Sequence, residues 1–107
     1  MKSEEQIIII FLFKGISIIY EKINIPDLTV KNLIEVKIKV EKIIEDKKYI
    51  ELNFVNSNYV DSSGISFLIN LFKKLKKIGG NLRVSNVNKD IIEIFKITQV
   101  YETIEVI

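Results

Sequence analysis

The period of the apolar positions changes several times along the chain, and each change marks an element. Ile7 to Phe13 is an unbroken run of seven β-branched, leucine and aromatic residues closed by Lys14-Gly15, and Ile16, Ile18, Tyr20 and Ile23 resume after it. Two strands joined by a hairpin are predicted, Ile7–Phe13 and Ile16–Ile25. A strand with one wet face normally alternates, so the unbroken run predicts a first strand covered on both faces or lying against a partner. Pro26-Asp27 interrupts the second strand, and Leu33, Val36, Val40, Ile43 and Ile44 then recur at helical spacing. The alternation Val36, Ile38, Val40 fits a strand as well, but the length of the segment and its i, i+3, i+7 recurrence select a helix running to Asp46.

Tyr49 to Val55 reads as a short strand leading into the turn Asn56-Ser57-Asn58. From Ser62 the pattern becomes Ile65, Leu68, Ile69, Phe72, Leu75 and Ile78, an apolar stripe on a helix whose other positions include Lys73, Lys74, Lys76 and Lys77. Gly79-Gly80 supplies the positive φ that ends it. Leu82 and Val84 form the next strand, Asn88 caps a helix carrying Ile91, Ile92, Ile94 and Phe95, and Thr103 to Ile107 reads as a last strand. The order is ββαβαβαβ. This is an α/β chain, with a mixed β-sheet whose parallel pairs need helical crossovers and with helices packed against it.

Composition narrows the function classes. The 107 residues are 48% hydrophobic and 28% charged, which suits one packed domain over 1–107 and leaves too little for two cores. With 16 basic and 14 acidic residues the net charge is +2, a weak electrostatic reason to expect direct nucleic acid or membrane binding. His and Cys are both absent, which excludes His-based triads, thiol nucleophiles, disulfides and the usual zinc sites. The Ile7–Phe13 run is far short of the roughly 20 residues of a membrane span, and Glu4 and Glu5 precede it where a signal peptide wants basic charge. The chain reads as cytoplasmic. The four lysines read as a solvated face, Glu41, Glu45 and Asp46 as the wet side of the first helix, and Phe67, Phe72 and Phe95 as core. Lys73 stands more than two turns beyond Ser63, too far for a Ser-Lys hydrolase pair. No catalytic set, cofactor site or metal site is expected.

One motif lies where chemistry is cheap. Asp61-Ser62-Ser63-Gly64 falls at the start of the strongest helix, where free backbone N–H groups and the positive end of the dipole favour an anion. A plain N-cap by Asp61 or Ser62, worth about 1 kcal/mol, accounts for part of it. A phosphate on Ser63 would add about −1.5 to −2 charges and turn a neutral docking surface into a repelling one.

In context, the stretch Tyr49 to Ile97, with Tyr59-Val60-Asp61-Ser62-Ser63-Gly64-Ile65 and Lys77-Ile78-Gly79-Gly80 before Leu82-Arg83-Val84, resembles the STAS domains of bacterial anti-sigma factor antagonists. The resemblance implies that Ser63 is phosphorylated by a cognate anti-sigma factor that is also a serine kinase, a histidine-kinase-like ATPase, and that a serine phosphatase reverses it. It further implies that the unphosphorylated chain binds the anti-sigma factor and frees a sigma factor, through a partner-facing set of Asp27, Asn58, Asp61, Ser62, Gly64 and Ile65. Asp61 is expected to cap the helix, shape the loop and disfavour a nearby phosphate.

The sequence departs from that family's pattern in places. Ile25-Pro26-Asp27-Leu28 stands where members often carry a glycine-containing turn with a carboxylate, Asn53 replaces a frequent Asp, and Thr98-Gln99 replaces Ser/Thr-Gly. No final helix follows the last strand as it does in many relatives, and the exposed apolar edge that this leaves makes a homodimer an expectation. The alternative is the same fold as a fixed, non-switching subunit of a lipid-transport or other multiprotein assembly. Nucleotide binding at the turn ranks last, because no Gly-rich phosphate loop or catalytic base accompanies it.

Overall fold

The computed structural model describes residues 18–107, and the predicted strand Ile7–Phe13 with its hairpin turn lies outside the described residues. The described elements are β1 (Glu21–Asn24), α1 (Leu33–Ile44), β2 (Tyr49–Asn53), α2 (Ser62–Lys77), β3 (Asn81–Ser85), α3 (Lys89–Ile97), α4 (Val100–Thr103) and β4 (Glu105–Val106). Among the described residues the strands form one sheet in the spatial order β1-β2-β3-β4, with every neighbouring pair parallel. Each neighbour therefore needs a helical crossover, and α1, α2 and the α3–α4 pair supply them.

The register sorts the two sheet faces. Ile23 stands opposite Leu52, Ile50 opposite Leu82 and Leu52 opposite Val84. These residues join Val36 and Val40 of α1, Leu68 and Leu75 of α2 and Ile91 and Phe95 of α3 in one buried cluster. Helix α1 settles the sequence ambiguity: Val36 and Val40, four residues apart, are buried, whereas Ile38 is 65% exposed, the pattern of a helix and not of a strand. Helix α2 ends where Gly79 takes φ +84. Gly80 is required for a reason that spacing does not reveal, since a Cβ there would fall 1.8 Å from the Lys48 carbonyl oxygen.

The C-terminal end differs from the sequence reading. The last strand was expected over Thr103–Ile107, but Val100–Thr103 is a turn of helix and the strand is confined to Glu105–Val106. Val100 and Ile104 are both buried. Their i, i+4 spacing keeps the chain helical until both have reached the core. Gln99, in the left-handed region at φ 69, separates α3 from this turn.

The other face of β2 and β3 is polar. Glu51, only 6% exposed, accepts hydrogen bonds from Ser85 Oγ at 2.7 Å and Arg83 Nε at 3.0 Å, with Lys22 Nζ at 3.8 Å. The Arg83 guanidinium is in turn stacked on the Tyr20 ring at 3.8 Å. Burial alone would push the Glu51 pKa up, but the hydrogen bonds from Ser85 and Arg83 and the charges of Arg83 and Lys22 outweigh it and hold the carboxyl below its ordinary value. A depressed folded pKa adds stability that is present above the unfolded value of 4.5 and is lost as the pH falls through the folded one. Glu51→Gln is therefore expected to flatten the acid limb of a urea-midpoint against pH curve below that value while losing stability at neutral pH. An unchanged acid limb would assign the pH dependence to other carboxyls.

Candidate functional site

The start of α2 is built by one carboxylate. Asp61, in extended conformation, is the N-cap: its Oδ1 accepts from the Gly64 N–H at 3.0 Å and from Ser63 Oγ at 2.6 Å, and its Oδ2 accepts from the Val30 N–H at 2.9 Å. The Ser63 hydroxyl, followed by the Val30 and Gly64 N–H groups, pulls the Asp61 pKa down to about 2. The carboxylate thus ties the loop before α1 to the serine at the start of α2. Because the Ser63 proton is held by Asp61, the remaining lone pairs of Oγ are left for an incoming electrophile.

Two loops are stitched together beneath this cap. Leu28 and Val60 form an isolated parallel bridge, with the Leu28 N–H donating to the Tyr59 carbonyl at 2.9 Å and the Asp61 N–H donating to the Leu28 carbonyl at 3.2 Å. Asp27 Oδ1 accepts from the N–H groups of Asn58 at 2.6 Å and Tyr59 at 3.2 Å. A Cβ on Gly64 would lie 2.1 Å from the Leu28 carbonyl oxygen. The first turn of α2 therefore rests directly on the Leu28 backbone, which only a residue without a side chain permits.

The residues singled out by sequence thus fall into distinct places. Asp61, Ser63 and Gly64 form one hydrogen-bonded unit. Asp27 and Asn58 form a second, in which the Asp27 carboxylate is engaged by loop N–H groups and stabilises the platform. Ser62 is exposed on the outer side of the first turn, and Ile65 is half-buried with its N–H on the Asp61 carbonyl. Of the N–H donors expected to be free at the start of α2, that of Gly64 is taken by Asp61. A phosphate on Ser63 would meet an anion there.

Sequence reasoning missed Leu28 and Val30, which act through backbone atoms that no side-chain pattern reports. It also missed the asparagine chain at the carboxyl ends of the strands. Asn53 donates to Asn24 Oδ1 at 2.7 Å and accepts from Asn86 Nδ2 at 2.8 Å and from the Val55 N–H at 3.1 Å. These bonds fix the exit of β2 toward the site without a charge.

The Asp61–Ser63 hydrogen bond can be read by titration. Ser63 is the largest contributor to the low Asp61 pKa, so Ser63→Ala is expected to move that carboxyl back toward its ordinary value of 3.8 in an NMR titration. In the parent the contribution of this carboxylate is present above 3.8 and is lost as the pH falls through about 2. In the variant that contribution is smaller, and its loss, which again starts near 3.8, is complete at a higher pH than in the parent. An unmoved Asp61 would mean that the bond is not made in solution.

Comparison with known proteins agrees with this architecture. A curated relative, the anti-sigma-B factor antagonist of Bacillus subtilis (strain 168), is 35% identical over 49 residues. That match covers 46% of this chain and 45% of the relative. The family model of the STAS domain matches residues 25–107, from the end of β1 through β4. With β2, β3 and β4, the crossover helices and most of the chain inside that match, the chain belongs to the STAS domain family.

Proposed function

We propose that the chain is an anti-sigma factor antagonist that acts as a binding protein in the cytoplasm and not as an enzyme. Unphosphorylated, it binds an anti-sigma factor serine kinase and so releases a sigma factor; phosphorylation of Ser63 ends that binding, and a serine phosphatase restores it. The observation that carries this reading is the Ser63 hydroxyl held 2.6 Å from Asp61 at the first turn of α2. A phosphate on that oxygen would stand beside the Asp61 carboxylate, which already takes the Gly64 N–H of the helix start. Its charge would lie on the surface that a partner approaches.

The test is incubation with the candidate kinase and ATP, followed by peptide mass spectrometry. One phosphate on Ser63 is expected. Modification confined to Ser62 would move the switch to the exposed outer serine, and recovery of a transporter ATPase in place of a kinase in a pull-down would favour the fixed-subunit role.

A further inference from the structure

An open groove of about 450 Å³ runs between α1 and α2. Leu33, Val40, Ile44, Phe67 and Leu71 supply its apolar lining, and Ser63 and Lys74 are the first and last residues that α2 contributes. Lys74 lies eleven positions beyond Ser63, so the groove follows α2 for about 16 Å, or three turns. Ser66 and Asn70, both exposed, line it between them. Lys37 enters it from α1, and neither Lys37 nor Lys74 has an ion-pair partner among the described residues, whose salt bridges join Lys22 and Arg83 to Glu51. Glu41 is the one carboxylate in the lining, leaving an excess of positive charge. Beside the groove on α1, Ile34 and Ile38 are 74% and 65% exposed, which extends the apolar surface outward.

These features describe an occupant. A groove three turns long with an apolar floor suits the apolar face of an amphipathic helix, read through side chains at i, i+3, i+4 and i+7. Two unpaired lysines on the rim suit carboxylates flanking that face. Ser63 belongs to the same surface, so a phosphate placed on it enters the groove as an anion where the partner's carboxylates would lie.

Resting on the function proposed above, we infer that the anti-sigma factor docks through an acidic amphipathic helix seated between α1 and α2, with its carboxylates on Lys37 and Lys74. Phosphorylation of Ser63 then expels the partner by placing like charge in the groove that holds it.

The test compares Lys37→Glu/Lys74→Glu with Ser63→Asp for binding to the anti-sigma factor kinase that captures the parent chain. Both lysines are exposed, so circular dichroism and a urea midpoint should be unchanged in the double variant. A loss of about 30-fold or more in affinity is expected from reversing two charges at a docked carboxylate, on the order of 2 kcal/mol. If Ser63→Asp abolishes binding while the lysine variant binds as the parent does, the groove assignment falls and the phosphoswitch stands. If both variants bind normally, the switch itself falls.

The occupant is read separately. The sequence has no cysteine, so Asn70→Cys carries a single photo-crosslinker on the groove. Crosslinks to a helical, Asp/Glu-bearing segment of the kinase support the inference. Crosslinks to an extended loop of the kinase, or to a second copy of this chain in the kinase's presence, overturn it.

Discussion

Gly64→Ala is expected to cost about 3 kcal/mol or more and to remove the site along with the stability. The new methyl would sit 2.1 Å from the Leu28 carbonyl oxygen and 3.0 Å from its carbonyl carbon and from Leu28 Cγ. The obstacle is backbone, and that backbone is held by the Leu28–Val60 bridge and by the Asp61 N–H bond to the same carbonyl oxygen. Overpacking in a well-packed core usually costs about 1–3 kcal/mol. Here no side chain can rotate away, so the start of α2 must move outward, breaking the Asp61 cap and the Ser63 bond with it. For a domain whose total stability is of order 5–15 kcal/mol, this is a large fraction.

A urea midpoint and the rate of Ser63 phosphorylation, measured on the same preparation, check it. Gly79→Ala is the control: it meets nothing closer than Lys48 Nζ at 3.7 Å but must hold φ +84, so it is expected to lose about 1–2 kcal/mol with Ser63 still modified. A Gly64→Ala protein with the parent midpoint would mean that α2 does not rest on Leu28.

Ser63→Asp is expected to lower affinity for the anti-sigma factor about 100-fold or more, whereas Ser63→Ala should bind within a few-fold of the parent and resist release by the kinase. The difference follows from what each substitution does to Asp61. Alanine removes one donor and leaves the Val30 and Gly64 N–H groups on the carboxylate, so the loop keeps its shape. Aspartate places a second carboxylate two residues from the first, which already takes the Gly64 N–H. The added charge meets the partner's surface, and like charges juxtaposed at an interface cost several kcal/mol. Calorimetry on both variants checks it. Equal affinities for Asp and Ala would show that partner release does not work through charge at this position.

The two predictions bear on different links of one chain of cause. Gly64 decides whether α2 can lie against the Leu28 backbone, and that approach brings Asp61 within reach of Val30 and Ser63 together. Ser63 decides what the assembled surface presents. Since Asp61 serves both, its titration connects them: an Asp61 carboxyl near its ordinary pKa in the Gly64→Ala variant, which keeps Ser63, reports that the two loops have separated.

Much of this was legible from residue order. The stripe Leu68, Phe72, Leu75 marked α2, Asn88 marked the cap of α3, whose side chain accepts from the Ile91 N–H at 2.9 Å, and Asp61-Ser62-Ser63-Gly64 marked the site. These features are local: each depends on side-chain period or on a hydrogen bond spanning three residues, which a linear reading can see. The short β4 was misread because Val100 and Ile104 bury themselves through a turn of helix that propensity does not announce.

Sequence alone therefore determined the order of most described elements, the face each helix buries and the serine that stands at the start of α2. Tertiary structure decided what that serine is joined to. The Val30 N–H lies 31 residues from the Asp61 carboxylate that it meets, and the Leu28 carbonyl that makes Gly64 indispensable belongs to another loop. It also decided that Lys37 and Lys74, which in sequence are unremarkable members of solvated helix faces, line one groove with Ser63. Backbone donors and carbonyls are the same in every residue, so which of them come together is set by the packing of the sheet and its crossovers and carries no signature in the side chains.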